Sequence, residues 1–346
     1  MTRLVALIAI VAAVVPAVLV QARPAASLRS VSVAWAGDIA MVASGDGGAG
    51  FFSSSISHEL RGDVVIGNLE GTLTVGGSSK CGATSTDCFA FHAPPSYAHL
   101  LKRAGFTLMN VANNHAYDYG SEGQRETLAA LRSAHLRSTG RPGQIAIVRI
   151  RGVRVAVVGF APYRWAQSLT DLAGAARIVR RAKRDAKLVV VVMHAGAEGS
   201  DRQHVRRGTE WFLGENRGDA ESFSHVVVDA GADLVVGSGP HVVRGMEWYH
   251  GRLIAYSLGN FLGNGTLSIG GVLGASGILH VTLWSDGSWL HADLTPVRLV
   301  PPGVPALDSA EAAHGIVRTL SREDFGRNAM RVSPTGNLFP PAWRTG

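Results

Sequence analysis

Short apolar, β-branched runs recur along the chain at 31–35, 63–66, 106–111, 145–150, 153–160, 188–193, 234–236, 253–257, 278–283 and 289–299. Stretches with helical spacing separate several of them, at 95–104, 124–134, 171–186 and 220–230. Strands that alternate with helices predict parallel pairing in the early part of an α/β domain. The later runs are joined by brief glycine-bearing turns and predict antiparallel pairing. No internal repeat or low-complexity linker divides residues 30–300, which read as one domain. From about 301 the prolines, small residues and scattered charges predict an irregular tail, 301–346, with one short helix near 309–321.

The ends of the chain and its few cysteines bear on where it works. Arg3 precedes an uncharged apolar run, 4–20, and small residues with a helix breaker follow, so 1–26 reads as a signal peptide or an uncleaved N-terminal membrane anchor. Either places the protein outside the cytoplasm, extracellular or held at the outer face of the cytoplasmic membrane. Cys81 and Cys88 are the sole cysteines and flank a short polar loop. In an exported protein they are expected to form a disulfide. As free thiols they lack both CxxC spacing and further cysteines for a zinc site. The net charge of +7 is almost wholly arginine, since lysine occurs only at 80, 102, 183 and 187. A basic surface attracts polyanions. Without aromatic interleaving or a known motif, however, it predicts no nucleic-acid partner.

Candidate chemistry gathers at strand ends, where open α/β proteins bind ligands. The run 106–112 leads straight into Asn113-Asn114-His115-Ala116-Tyr117-Asp118, and Ser121-Glu122-Gly123-Gln124 then reads as the capped start of a helix. A carboxamide oxygen, an imidazole and a carboxylate suit a cation such as Mn, Zn or Fe. The same residues are also ordinary turn formers. Four other strand ends repeat the pattern: Asp38 after 31–36, Asn68 and Glu70 after 63–67, His194 and Glu198 after 188–193, and His241 after 234–239. A turn needs only Gly or Ser, so a shared metal cluster accounts for all five together.

Those segments, with Phe91-His92-Ala93-Pro94 and Tyr256-Ser257-Leu258-Gly259-Asn260-Phe261, resemble the CapA-like proteins of poly-γ-glutamate capsule synthesis, over about residues 31–261. That family has the calcineurin-like metallophosphoesterase fold. The resemblance implies a four-layer α-β-β-α sandwich with mixed sheets and one or two divalent metal ions. By position, Asp38 and His241 would bind one ion, Asn114 and His194 the other, and Glu70 would bridge them. His115 would stabilise charge or protonate a leaving oxygen, with Asp118 orienting it. His92, Glu198, His204, Glu215 and Arg217 are candidate substrate-binding residues.

Two positions depart from the metallophosphoesterase pattern. No histidine follows Asp38 in Asp38-Ile39-Ala40, and Gly239-Pro240-His241 stands where His-x-His is usual. Each ion would keep three protein ligands, which a catalytic site tolerates. The expected role is in synthesis or export of an anionic extracellular polymer such as poly-γ-glutamate, beside membrane-bound capsule-synthesis proteins, with metal-dependent hydrolase chemistry. Two alternatives stand beside it: a non-catalytic polymer-binding or assembly factor on the same fold, and a secreted metallophosphodiesterase acting on a phosphoester substrate.

Overall fold

The computed structural model describes residues 28–82 and 88–342, so the leader expected over 1–26 lies outside the described residues. Two mixed sheets form the centre, one of ten strands and one of six. In the larger sheet Ser30–Ile39, Val64–Leu69, Leu108–Asn110 and Arg137–Thr139 run parallel. Antiparallel Ala275–Trp284 and Trp289–Val300 extend the other edge. In the smaller sheet Val153–Phe160, Leu188–His194, Leu234–Ser238 and Arg252–Ala255 run parallel.

The period of two along each strand sorts its side chains into layers. Val31, Val33, Trp35, Val64 and Ile66 face Val155, Val157, Val190, Val192 and Val236 in one buried core between the sheets. The alternate residues Ala34, Val65 and Met109 pack on Ile56, Leu101 and Leu131 from the helices Ser54–Glu59, Ala98–Ala104 and Gly120–Ser133. On the opposite side Val158, Val189 and Val191 pack on Val179, Ala182, Phe223 and Val227 from Leu172–Asp185 and Ala220–Asp229. The order is helix, sheet, sheet, helix, the four-layer sandwich expected. With both faces covered, the parallel strands read as nearly continuous apolar runs.

Two expectations are corrected. The helix over Gly120–Ser133 starts before Ser121 and has no side-chain cap, because its first turn instead hangs on the backbone of Tyr117 and Tyr119. Residues 301–342 are not an irregular tail. Val304–Leu307 and Asn337–Phe339 pair with Trp289–Val300, Arg331–Val332 pairs with Asn337–Phe339, and the helix Ala312–Phe325 buries Ala313, Val317 and Leu320. These strands are two to four residues long. That is too short to leave a periodic signal, and prolines sit between and within them.

Candidate metal centre

The carboxyl ends of both sets of parallel strands meet at one edge of the sandwich. In the larger sheet the register places Asp38 beside Asn68, Asn68 beside Asn110, and Asp38 beside Asn260. A bulge between Ala36 and Asp38 turns the Asp38 side chain into this edge. Gly37 permits it, because a Cβ there would lie 1.9 Å from the Gly259 carbonyl oxygen. In the smaller sheet Ser238 lies beside His194.

Asp38, Glu70 and His194 offer ligand atoms within 4.8 Å of one another and are all buried. His194 Nε2 lies 3.8 Å and His241 Nε2 3.7 Å from Glu70 Oε1, and His241 Nδ1 lies 3.4 Å from Asp38 Oδ2. Asn260 Oδ1 is 2.8 Å from His241 Nδ1. A carboxamide oxygen only accepts, so Nδ1 carries a proton, and Nε2 is the ring atom turned toward Glu70. His241 is held at φ +61°, a left-handed conformation rare for a side chain of this kind.

The cluster is short of positive charge. Both oxygens of Glu70, Nε2 of His194 and Oδ1 of Asn114 are buried without a hydrogen-bond partner. Burial and then the charge of Asp38 push the Glu70 carboxyl well above its ordinary range. Burial also acts to raise Asp38, but His194 and His241 override it and hold the Asp38 carboxyl well below the usual value. Burial lowers His241, yet Glu70, Asp38 and Glu198 together lift it well above an ordinary imidazole. Buried carboxylate, carboxamide and imidazole atoms without hydrogen-bond partners are the donor set a divalent cation takes. The residues present fit a metal.

Asn114 and Glu198 close the mouth. Asn114 Nδ2 is 3.5 Å from Glu198 Oε1, and Glu198 Oε2 is 3.5 Å from His241 Nε2. Arg217 Nη2 lies 2.6 Å from Glu198 Oε1. Burial works against the Glu198 charge, but His241 and Arg217 bring its carboxyl down to about 2. Glu198 thus stands against the metal cluster itself. Gly239, at φ +115°, leaves no room for the usual histidine, since a Cβ would lie 2.9 Å from Ala195 N. Its own N–H donates to Asp38 Oδ2 at 3.2 Å.

His115 forms a second unit. Its Nδ1 is 2.8 Å from Asp118 Oδ2, which also accepts from Phe91 N, while Lys80 Nζ sits 2.7 Å from Asp118 Oδ1. The ring stacks on Phe91 at 4.3 Å. Burial lowers the His115 pKa, with Asp118 opposing. Nε2 is left for the pocket, of about 250 Å³, that His115 lines with Phe91, Glu198 and His241.

Other candidates fall elsewhere. His92 is exposed and tilts against Tyr119, because alternation along its strand turns its neighbour Phe91 into the pocket. His204 is turned away onto Asp324 of the helix Ala312–Phe325, 2.7 Å from Oδ1. Glu215 reaches the rim, bonded to Tyr163 Oη at 3.0 Å and 3.3 Å from Arg217 Nε. Cys81 and Cys88 are joined, with sulfurs 2.04 Å apart. Asn68 and Asn113 stood in the strand-end motifs without an assigned role. Asn68 Nδ2 donates to Asp38 Oδ1 at 2.7 Å, and its Oδ1 accepts from Asn110 and Asn113.

The family described as bacterial capsule synthesis protein PGA_cap matches residues 33–265. The chain is 32% identical over 182 residues to the capsule biosynthesis protein CapA of Bacillus anthracis, covering 47% of this chain and 41% of that one. It is 29% identical over 226 residues to the PGA biosynthesis protein CapA of Bacillus subtilis strain 168, covering 58% and 53%. The chain spans about half the length of these curated relatives. Among solved structures, a 5'-nucleotidase precursor from Thermus thermophilus superposes with a TM-score of 0.43 at 13% identity, covering 85% of this chain and 59% of that one.

Proposed function

The chain belongs to the bacterial capsule synthesis protein family, and on that premise we propose that it acts in making or exporting an anionic extracellular polymer such as poly-γ-glutamate, through a metal-dependent hydrolytic or transfer site. The observation that carries this reading is the buried Asp38, Glu70 and His194 cluster, whose Glu70 oxygens and His194 Nε2 have no hydrogen-bond partner. His241 and Asn114 complete the proposed ligand set. A divalent cation, Mn, Zn or Fe, would supply Lewis acidity at a substrate oxygen.

The protein's own groups do the rest. Asp118 is fixed by Lys80 and the Phe91 N–H, and it orients His115. His115 would stabilise charge on the transferring group or, once its Nε2 has taken up a proton, give that proton to the leaving oxygen. Arg217, held in place by Glu198, would meet the anionic substrate at the mouth. Membrane-bound capsule-synthesis proteins are the proposed partners, and the proposed location is outside the cytoplasm. Among the described residues no helix is long and apolar enough to cross a membrane, so an anchor would have to come from outside them.

Gly239 favours a second reading. With no space for the usual histidine there, the protein would have kept the cleft without a working metal site and would serve as a non-catalytic polymer-binding or assembly factor. Elemental analysis of the purified protein separates the two. The first reading expects near-stoichiometric metal in the wild type, lost in Glu70→Ala and His194→Ala. Absence of metal after reconstitution, in protein that is folded, sinks it.

A further inference from the structure

A wider cleft of about 610 Å³ lies beside the metal cluster, lined by Tyr117, Gln124, Arg141, Gln144, Arg164 and Trp165 and by no acidic residue. Arg141 and Arg164 are exposed, and neither guanidinium has an ion-pair partner among the described residues. The buried Nε2 of Gln124 has no hydrogen-bond partner. The floor is rigid. Gln144 Nε2 donates to Ser138 O, Gly143 N donates to Gln167 Oε1, and Arg181 Nη2 donates to Gly143 O, at 2.8, 2.7 and 2.6 Å.

An aromatic row joins this cleft to the metal centre. Tyr163 stacks on Trp165 at 5.1 Å and 11°, and Trp165 on Tyr117 at 5.3 Å and 14°. At the far end the Arg217 guanidinium, paired with Glu198, sits 5.9 Å above the Tyr163 ring. Trp165 Nε1 donates to the Asn113 carbonyl at 2.9 Å, which ties the row to the loop carrying Asn114 and His115.

We propose that this cleft holds a stretch of an amide polymer bearing carboxylates and that the aromatic row leads it to the metal cluster, an inference that rests on the function proposed above. Guanidinium forks match carboxylates in shape and charge. The unpartnered Gln124 amide matches an amide backbone, while Gln144 holds the floor. Trp165 is already stacked with both Tyr163 and Tyr117, and the ring edges of the row can pack against methylene groups.

The test is binding of fluorescein-labelled poly-γ-glutamate to the full chain by fluorescence anisotropy, with metal content measured on the same samples. The wild type binds. R141E/R164E weakens binding by at least about tenfold while keeping its metal, and R141Q/R164Q shows a smaller loss, so that the result does not depend on one variant folding. Glu70→Ala, which strips the metal, still binds. Unchanged affinity in both arginine variants overturns the proposal, as does tighter binding of polyphosphate or single-stranded DNA than of poly-γ-glutamate. A wild type without metal that binds the polymer through these arginines leaves the cleft standing and removes the hydrolase reading alone.

Discussion

Two buried ionic clusters lie side by side in the molecule, and they are built on opposite principles. Arg244 and Glu210 form a bidentate pair with both N···O distances at 2.8 Å. Arg244 Nε donates to Arg202 O, and Glu210 Oε2 accepts from Ala197 N. Around Glu70, by contrast, neither carboxylate oxygen has a partner, although the residue is equally buried. A buried charge with its hydrogen bonds complete needs nothing further, while one left open carries a cost of several kcal/mol that a bound cation would remove. The first cluster anchors the loop that carries Glu198 and Arg217. The second is the site the loop covers.

The largest expected effect comes from breaking the complete pair. Glu210→Ala leaves the Arg244 guanidinium buried and unpaired, and should lower unfolding free energy by about 3–5 kcal/mol in urea titration. Metal content per folded molecule should be retained. The reverse pattern is expected at the open cluster. Burial and Asp38 push the Glu70 carboxyl well above its ordinary range, and glutamine keeps its shape without the charge, so Glu70→Gln should leave the metal-free protein within about 1 kcal/mol of wild type. Adding Mn or Zn at a hundredfold excess over its Kd should then stabilise the wild type by about 2.7 kcal/mol and leave Glu70→Gln unmoved, as read by thermal denaturation. Equal stabilisation of both proteins would show that the ion binds elsewhere.

The contrast also marks what residue order can disclose. Asp38, Glu70, Asn114, His194 and His241 were legible because each follows an apolar run, and parallel strands bring their ends together. The supporting roles of Asn68, Asn110 and Asn113 were not. Asn68 and Asn110 enter the site through the pairing register, which no local pattern states. Choosing Phe91 over His92 takes the phase of a strand two residues long. His204 read as a site residue because its segment closely follows His194 and Glu198, and its partner, Asp324, lies 120 positions away. The Arg244 and Glu210 pair was equally hidden, since its members are 34 positions apart.

A third buried acid, Glu247, lies between the two extremes. It accepts from Tyr256 Oη at 2.8 Å and meets His225 Nε2 at 2.9 Å, with the imidazole stacked on Tyr249. Burial lowers the His225 pKa, but Glu247 prevails and the net shift is upward. A raised folded-state pKa means that the pair contributes its full stability below the unfolded value, about 6.5, and loses it as pH rises through the folded one. His225 is half-buried, and solvent screening keeps the contribution small. His225→Gln should therefore cost about 1 kcal/mol or less at about pH 5.5, shrinking toward zero at about pH 9, when urea unfolding is compared across that range. A loss that stays constant with pH would mean that the ring acts by stacking on Tyr249 alone, and Glu247 would then be satisfied by Tyr256 without a charged partner.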